Sequence, residues 1–248
     1  MKSICIIPVR MGSSRFFGKP LKKINGLAMA HLCYNNAYKA KHIDRVFIAT
    51  PDKEIKDYFN KNNIEVIMTS ITHKRASDRT FEALIKIEKK YKKKINYITM
   101  LQGDEPMINS KMIDKATYTL IKNKKLGCVN LTSIISSLKE AQDKNLIKVV
   151  MDRNNNAIYF SREPIPNGIE EKKDNFFKQV CVMPFRRDYL IKFNKLKPTF
   201  LEKKESIDML RFLENNIKVR MVLTKAITQS VDTVYDLRKV ISILKKNK

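Results

Sequence analysis

Glycine, proline and cysteine are all scarce in this chain, which holds 6 glycines, 8 prolines and 4 cysteines in 248 residues. The low glycine and proline content, beside 43% hydrophobic and 30% charged residues, excludes collagen-like, low-complexity and mainly disordered classes. The cysteines lie far apart and form no Cys-x-x-Cys pair, which excludes a zinc signature and disfavours a disulfide framework. We therefore expect a globular protein with buried free thiols at Cys5, Cys33, Cys128 and Cys181.

Long apolar segments are absent as well. No apolar run reaches the roughly 18 residues that a membrane-spanning helix needs, so we expect no membrane insertion. The segment Met1 to Val9 has the composition of a short strand and lacks the longer apolar core and small-residue cleavage site of a signal peptide. These features predict a cytoplasmic enzyme. Since 248 residues can bury a full core, we expect one main domain over residues 1–248.

The chain has 50 basic and 25 acidic residues, which give a formal net charge of +25 at pH 7. A basic surface attracts nucleic acids through counterion release, so a nucleic-acid partner is one interpretation. However, the densest lysine runs, Lys89 to Lys94 and Lys245 to Lys248, contain no glycine and aromatic repeats of the RNA-binding kind. We expect no specific nucleic-acid partner and interpret the charge as solvated helix faces that attract small anions.

Alternating strand and helix patterns in the first half of the chain predict a doubly wound, mostly parallel sheet. Continuous apolar runs of the kind that fill buried parallel strands alternate with segments whose apolar residues recur at helical spacing. The predicted strands are Ser3 to Val9, Arg45 to Ala49, Glu65 to Met68 and Tyr97 to Leu101, and the predicted helices are Ala28 to Ala40, Lys53 to Asn62 and Asp78 to Tyr91. This order predicts an α/β fold.

The pattern changes between about residues 128 and 190, where we predict a smaller β-rich lobe. Strand-like segments surround an Asn-Asn-Asn hairpin turn, so this lobe should be antiparallel. The predicted elements from here on are strands at Cys128 to Ile134, Ile147 to Met151, Ala157 to Phe160 and Val219 to Thr224, and helices at Ser206 to Asn215 and Tyr235 to Lys246.

A cationic loop, Arg10 to Pro20, follows the first predicted strand. Such a loop can turn backbone N–H groups and hydroxyls toward phosphate oxygens while its cations neutralise a triphosphate. It is neither a Gly-x-Gly-x-x-Gly loop nor a Walker loop, because Pro20 follows Gly-Lys. A purely structural turn is the alternative, but three basic residues beside two glycines favour phosphate. The candidate nucleotide-binding residues here are Arg10, Gly12, Ser13, Arg15 and Lys19.

Acidic candidates follow the strand Tyr97 to Leu101 and precede the last predicted helix. The strand leads into Gln102-Gly103-Asp104-Glu105-Pro106, at the carboxyl edge where open α/β sheets place their ligands. Mg²⁺ needs one or two protein carboxylates beside phosphate oxygens, so Asp104 is a natural ligand and Glu105 a possible support. The alternative is a turn in which Asp104 caps a helix. Asp232, taken alone, is more typical of an N-cap.

The segment His73 to Arg79 lies between a predicted strand and a predicted helix. Of the 3 histidines, His31 and His42 have helix-like surroundings, which leaves His73 as the one in a polar loop. Ser77 and Asp78 could cap the helix and leave the basic residues exposed. The functional alternative is that Arg79 reaches a phosphate.

Taken together, these residues resemble the sugar cytidylyltransferases that make CMP-activated acidic sugars, the CMP-Kdo synthetase (3-deoxy-manno-octulosonate cytidylyltransferase) family. The resemblance covers nearly the whole chain. The segments that carry it are Ile6 to Arg10, Ser13, Arg15, Gly18 to Leu21, Gln102 to Met107, Lys148 to Val150, Tyr159 to Arg162, Ile165-Pro166 and Val231 to Thr233.

The resemblance implies a Rossmann-like sheet with a β-rich dimerisation lobe, and so a homodimer that binds CTP and an acidic sugar. It implies that the anomeric hydroxyl of the sugar attacks the α-phosphorus of CTP and that pyrophosphate leaves. The implied catalytic residues are Lys19, Arg15, Asp104 and Asp232, of which Asp104 and Asp232 would coordinate Mg²⁺. The implied nucleotide site adds His73, Ser77 and Arg79 to the cationic loop. The implied substrate-binding residues are Gln102, Arg162, Gln179, Met183, Glu205 and Asp208.

This chain departs from the family pattern mainly where the sugar would bind. The histidine and first tyrosine of a family strand are replaced by Gln179 and Met183, and a family glutamine is replaced by Met209. A Ser-Gly-Thr triplet becomes Arg75-Ala76-Ser77. Two alternatives therefore stand beside transfer to Kdo. One is a different acceptor, such as an amino-Kdo or a sialic-acid-like sugar, and the other is a non-catalytic nucleotide- or polyanion-binding protein of the same fold.

Overall fold

The computed structural model describes residues 1–12, 15–168 and 176–246. They divide into two units, Met1–Asp114 with Thr228–Lys248, and Lys115–Ile227. The strands are β1 Ser3–Pro8, β2 Lys23–Ile24, β3 Leu27–Ala28, β4 Arg45–Thr50, β5 Val66–Met68, β6 Tyr97–Leu101, β7 Cys128–Ile134, β8 Lys148–Met151, β9 Ala157–Ser161, β10 Phe177–Val180, β11 Val182–Arg186 and β12 Val219–Thr224. The helices are α1 Met29–Tyr38, α2 Lys53–Lys61, α3 Ala76–Tyr91, α4 Ser110–Lys122, α5 Leu138–Gln142, α6 Arg187–Lys195, α7 Phe200–Glu205, α8 Leu210–Glu214 and α9 Val234–Lys246.

The sheet of the first unit is parallel, in the order β5, β4, β1, β6. Ile6 in β1 lies opposite Phe47 on one side and Met100 on the other. All six residues of β1 are buried, as expected for a strand covered on both faces. Strand order reverses at β1, so the carboxyl ends of β1 and β6 border the crevice where such folds bind ligands. The predicted α/β class with a mostly parallel sheet is confirmed.

An apolar cluster anchors the first loop and the last helix of this unit. Phe16, from the loop after β1, packs with Met29 of α1, with Val231 and with Val240 of α9. Because these residues come from both ends of the chain, the cluster holds the loop after β1 close to the segment before α9.

Strand β7 lies at the centre of the second unit. It pairs antiparallel with β10 and β11 and parallel with β12. β8 and β9 form an antiparallel hairpin, whose turn includes Asn155 at a φ of +58°, a conformation that asparagine tolerates better than most residues. The carboxylate of Asp152 accepts hydrogen bonds from the N–H groups of Asn154 and Asn156 across this turn. The predicted antiparallel pairing and hairpin are confirmed.

Three local predictions are wrong, those for the helix after Ser206, for His42 and for the burial of Cys181. The helix expected from Ser206 to Asn215 is only α8, because Ser206 adopts a left-handed φ of +55° that ends α7. His42 lies in a turn rather than a helix, where its N–H and Nδ1 bind Oδ1 of Asp114. Of the four cysteine thiols, those of Cys5, Cys33 and Cys128 are buried as expected, while Cys181 is partly exposed. Across the described ranges, no helix is both long and apolar enough to cross a membrane.

Candidate active site

Two loops of the first unit meet at the carboxyl edge of its sheet, one after β1 and one after its neighbour β6. Gly18 closes the first loop by donating its N–H to the carbonyl of Met11 at 3.0 Å, at a φ of +68° that favours glycine. Lys19 then begins a short 3-10 helix with Pro20 in its first turn, where the missing N–H of proline costs nothing. The Gly-Lys-Pro sequence therefore fixes the backbone that carries Lys19.

Lys19 bridges two carboxylates. Its Nζ donates to Oδ2 of Asp104 at 2.7 Å and to Oδ1 of Asp232 at 3.3 Å. Nη2 of Arg15 donates to the same Oδ1 of Asp232 at 2.9 Å. The side chains of Lys19, Asp104 and Asp232 are 13%, 21% and 14% exposed, whereas that of Arg15 is 50% exposed. The structure thus brings together the residues for which the resemblance implied a catalytic role.

The charges of this cluster stabilise one another. Burial by itself lowers the pKa of Lys19, but the charges of Asp104 and Asp232 and their hydrogen bonds outweigh burial and raise that pKa above its ordinary value. Burial raises the pKa of Asp232, and the charge of Asp104 adds to this effect, against the opposing influence of Lys19 and Arg15. The carboxylate pair therefore creates a place at which positive charge is held.

The helices next to these two carboxylates are capped by other residues. α4 is preceded by Asn109, whose Oδ1 accepts a hydrogen bond from the third residue of the helix, Met112, at 3.1 Å. α9 is preceded by Thr233, whose Oγ1 accepts from the N–H of Asp236 at 3.2 Å, while the carboxylate of Asp236 accepts from the N–H of Thr233 at 2.9 Å. The capping role considered for the site aspartates is thus filled by their neighbours.

Backbone contacts hold the two aspartates near each other. The N–H of Val231 donates to the carbonyl of Asp104 at 2.9 Å. Val231 is fully buried in the apolar cluster that also contains Phe16. The residue after Val231 is Asp232, so the same packing that buries Val231 positions that carboxylate beside the loop after β6.

The start of the cationic loop is more exposed. Arg10 is exposed. The pKa of Arg79 is lowered first by burial and then by the charge of Arg10, which shows that the two guanidinium groups repel each other. The charge of Asp52 acts in the opposite direction. Gly12 is exposed, with open space where a side chain would begin. Ser13 lies outside the described residues, so its predicted contact with the triphosphate stays a prediction.

Arg79 and His73 are both engaged by their own unit. Arg79 is 3% exposed, and its guanidinium donates to Oγ1 of Thr69 at 2.8 Å and to the carbonyl of His73 at 3.2 Å. Nε2 of His73 lies 2.5 Å from Oε2 of Glu82. Ser77 is buried in the first turn of α3. The guanidinium of Arg79 therefore holds the loop between β5 and α3, and the nucleotide contacts predicted for these residues stay predictions.

Two further residues follow β6. Gln102 is partly exposed at the end of the strand. Glu105, considered as a support for a metal, is 3% exposed and lies near Cys33, whose pKa is raised first by burial and then by the charges of Asp104 and Glu105. Of these two side chains, only Gln102 is open to a ligand.

In the second unit, Arg162 and Glu205 bind each other. The N–H of Arg162 donates to Oε2 of Glu205 at 2.9 Å, and Nε of Arg162 donates to the carbonyl of Glu205 at 2.7 Å. Oε1 of Glu205 accepts from Ser161 at 2.9 Å and from Tyr159 at 3.2 Å. Asp208 is partly exposed just before α8. Two predicted substrate-binding residues are therefore neighbours and already hold the β9 end in place.

Gln179 and Met183 also lie together. Nε2 of Gln179 donates to Oδ1 of Asn130 at 2.5 Å and is 3.9 Å from Sδ of Met183. Asn130 is fully buried, and Met183 is 2% exposed. The family strand that contains both positions is divided in this structure at Cys181, between β10 and β11. These two departures from the family pattern thus contact each other, with Met183 buried and Gln179 partly exposed.

Sequence reasoning missed several buried charges of the second unit. Arg211 and Glu202 form a bidentate pair with distances of 2.8 and 2.6 Å. The Nζ of Lys148, which is 0% exposed, donates to three carbonyls, including that of Leu146 at 2.8 Å. Burial lowers the pKa of Lys148 to about 8. For Glu202 the sequence did contain a signal. The Thr-x-x-Glu pattern that ends at this residue predicts a capped helix start, and so predicts α7.

Comparisons with known proteins match the chain over both units. A family model described as cytidylyltransferase matches residues 4–227. A 3-deoxy-manno-octulosonate cytidylyltransferase of Geobacter metallireducens is 37% identical over 99% of each chain, and one of Fusobacterium nucleatum is 36% identical over 100% of this chain and 98% of the relative. A solved structure of CMP:2-keto-3-deoxy-manno-octonic acid synthetase complexed with CTP has a TM-score of 0.89 and 31% identity, over 100% of both chains.

Proposed function

The chain belongs to the cytidylyltransferase family, and from that premise we propose that it transfers CMP from CTP to the anomeric hydroxyl of 3-deoxy-manno-octulosonate (Kdo) and releases pyrophosphate. In the structure, this proposal is supported by Lys19, which bridges Asp104 and Asp232 at the carboxyl edge of the sheet. A cation flanked by two carboxylates, beside a loop with two more arginines, suits a triphosphate and its counterion.

The reaction requires positioning and charge neutralisation rather than a covalent enzyme intermediate. The hydroxyl oxygen of the sugar bonds to the α-phosphorus as the bond from that phosphorus to pyrophosphate breaks, and the hydroxyl proton passes to solvent. Arg10, Gly12 and Ser13 bind the triphosphate. Lys19 and Arg15 stabilise the negative charge that builds on the departing pyrophosphate.

Asp104 and Asp232 fit a site for Mg²⁺. One oxygen of each lies within 3.3 Å of the same nitrogen, so the two oxygens are close enough to share one cation. Within the described ranges, no set of three or more acidic, cysteine or histidine side chains is gathered, and Mg²⁺ needs only one or two protein carboxylates when phosphate oxygens complete its coordination. When bound, Mg²⁺ polarises the α-phosphate and lowers the pKa of a hydroxyl in its coordination sphere.

The remaining assignments follow the resemblance. We assign three further residues to the nucleotide site and six residues to the sugar site. We also propose that the protein acts in the cytoplasm as a homodimer. The further nucleotide residues are His73, Ser77 and Arg79, and the sugar residues are Gln102, Arg162, Gln179, Met183, Glu205 and Asp208.

The test is a panel of sugar acids mixed with CTP and Mg²⁺, with pyrophosphate release as the measurement. We expect turnover with Kdo and none when CTP is replaced by another nucleoside triphosphate. Asp104→Asn should abolish turnover and leave the circular dichroism spectrum and the thermal unfolding midpoint close to those of the wild type. Unchanged turnover in this variant would refute the metal assignment, and no pyrophosphate from any sugar acid would refute the transferase.

A different acidic sugar is the second candidate acceptor. The observation that favours it is the contact between Gln179 and Met183, the two positions at which the chain departs from the family pattern. A site built to pair the polar groups of one sugar rejects analogues that leave those groups unpaired, so replacing two such residues would change the preferred acceptor. The same panel decides between the candidates, because efficient turnover with Kdo removes this one.

The third candidate is a protein of the same fold that binds nucleotides or polyanions without catalysis. Steeply salt-dependent binding of nucleic acid without CTP turnover would favour this alternative.

A further inference from the structure

The ammonium of Lys19 lies where a divalent cation shared by Asp104 and Asp232 would have to bind. It donates to one oxygen of each carboxylate, at 2.7 and 3.3 Å. A divalent cation and an ammonium cannot both occupy the space between these oxygens, because they compete for the same lone pairs and repel each other. In this arrangement the carboxylates are already neutralised by the chain itself.

Arg15 strengthens this neutralisation. Its guanidinium donates to the same oxygen of Asp232 that receives Lys19. Lys19 thus contacts both carboxylates and Arg15 contacts one of them, at distances from 2.7 to 3.3 Å. Because Lys19 is 13% exposed, its ion pairs are less screened by solvent than a surface pair would be.

Lysine is suited to changing partners. Its ammonium is a compact charge on a flexible stem of four carbons, so it can move while the backbone of the Gly-Lys-Pro turn stays in place. A triphosphate bound over the loop after β1 offers this ammonium several anionic oxygens in exchange for the two carboxylates. The exposed guanidinium of Arg15 can move to the same phosphates.

We propose that Lys19 acts as an internal counterion that competes for the carboxylate pair until a nucleoside triphosphate draws it away, so that the divalent cation binds Asp104 and Asp232 only weakly before the nucleotide is bound. This inference rests on the proposed function, because it takes a nucleoside triphosphate as the ligand of the loop. The two ligands then bind with positive coupling, and each raises the affinity of the protein for the other.

The test measures binding of Mn²⁺ to the nucleotide-free protein by electron paramagnetic resonance of the free ion. The wild type should bind Mn²⁺ weakly. Lys19→Met should bind it about tenfold more tightly or better, because one unit of repulsive charge is removed at short range. Lys19→Arg, which keeps the charge, is the matched control and should show no gain. Adding Asp104→Asn to Lys19→Met should remove the gain, which would place it at this carboxylate pair.

A second neutral variant guards against misfolding. Lys19→Gln keeps hydrogen-bond donors for the two carboxylates, and we expect it to show the same gain. Mn²⁺ should also raise the thermal unfolding midpoint of both neutral variants more than that of the wild type. Equal Mn²⁺ affinity in the wild type and both neutral variants would overturn the proposal, as would a gain that survives Asp104→Asn. Since no sugar or nucleotide is present, an inactive protein that shows the gain refutes the transferase function alone.

Discussion

The carboxylate of Asp52 accepts a hydrogen bond from the backbone N–H of Met11 at 2.7 Å, across a sequence separation of 41 residues. Asp52 is the residue before α2, a position from which aspartate usually caps its own helix, yet the structure shows no such side-chain cap. Its carboxylate instead holds the loop after β1 to the end of β4. The charge of Asp52 also favours the protonated form of Arg79, against the effect of Arg10. One carboxylate thus fixes the start of the cationic loop and offsets the repulsion between two guanidinium groups.

Removing this carboxylate should weaken nucleotide binding. Hydrogen bonds to charged groups contribute about 1.5–3 kcal/mol, so we expect Asp52→Ala to raise KM for CTP about tenfold or more. The value of kcat should change less, because Asp52 holds the loop and does not touch the reacting atoms. Steady-state kinetics at saturating sugar would measure both constants.

Asp52→Asn is the matched control, because its amide oxygen can still accept the hydrogen bond from Met11. We expect its KM to lie between those of the wild type and Asp52→Ala. If all three proteins have the same KM for CTP, the contact with Met11 plays no part in forming the nucleotide site.

Gly103 should tolerate no side chain. It lies directly before Asp104, and a Cβ at this position would come within 2.3 Å of Cγ1 of Val9, which is buried directly after the neighbouring strand β1. Overpacking of this kind costs about 1–3 kcal/mol, and displacement of the adjacent carboxylate should lower kcat as well. We expect Gly103→Ala to reduce both the free energy of unfolding in urea and the rate of pyrophosphate release.

Gly12→Ala provides the comparison for stability. Among the described residues other than its chain neighbours, no atom lies within 4 Å of a Cβ built at Gly12, so this variant should unfold at the same urea concentration as the wild type. Equal stability of the two alanine variants would show that the contact with Val9 relaxes without cost.

The sequence was most informative where burial is continuous. β6 and β7 begin and end at the predicted residues. Nearly all of their residues are buried, and short runs rich in apolar and β-branched residues predict buried strands even where single polar residues such as Asn130 interrupt them. The prediction of a helix from Ser206 to Asn215 was wrong because burial there does not depend on helical backbone. Ile207 and Met209 are buried in the non-helical segment between α7 and α8, so apolar spacing continues through backbone that is not helical.

Helix α4 was not predicted, although the sequence contains two features that are typical of a helix there. Asn109 precedes it as a cap, and Met112, Ile113, Ala116 and Leu120 are buried at helical spacing. No local pattern, in contrast, could pair Arg15 with Asp232, because 217 residues separate them. Only the family resemblance gave Asp232 a role, and the three-dimensional proximity then depends on the packing of Val231 with Phe16.

Glu82 should make folding sensitive to acid. Partial burial by itself raises its pKa, but hydrogen bonds from Lys86, the N–H of Ser70 and His73 outweigh burial and lower the pKa from 4.5 to about 2. A carboxyl with a lower pKa in the folded state stabilises that state above its unfolded pKa. This stabilisation should be complete above about pH 4.5 and should disappear as the pH falls from about 4.5 to about 2.

Urea unfolding at a series of pH values measures this effect. Glu82→Gln should flatten the pH dependence of the unfolding free energy between about pH 4.5 and 2. Glu54→Gln, which removes an exposed carboxylate of α2, controls for the loss of one negative charge. A wild-type slope in the Glu82 variant would mean that the bonds with Lys86 and His73 contribute nothing to the stability of the fold.

The buried pair of Arg211 and Glu202 should be the most sensitive charged contact of the second unit. The two side chains are 3% and 0% exposed, and Nη1 of Arg211 also donates to the carbonyl of Phe193 at 3.1 Å. Removing one partner of such a pair leaves an uncompensated buried charge, which costs about 3–5 kcal/mol. We therefore expect Arg211→Met or Glu202→Gln alone to lower the free energy of unfolding by about that amount.

The double variant distinguishes the net contribution of the ion pair to stability from the penalty for leaving one buried charge without a partner. With both partners replaced, no uncompensated charge remains, so the loss should be much smaller than the sum of the two single losses. Lys144 and Glu163 serve as the control pair, because their ions are also in contact, at 2.6 Å, but are 73% and 60% exposed. Lys144→Met should leave unfolding unchanged. Additive losses at Arg211 and Glu202 would show that each side chain acts through its own packing and not through the ion pair.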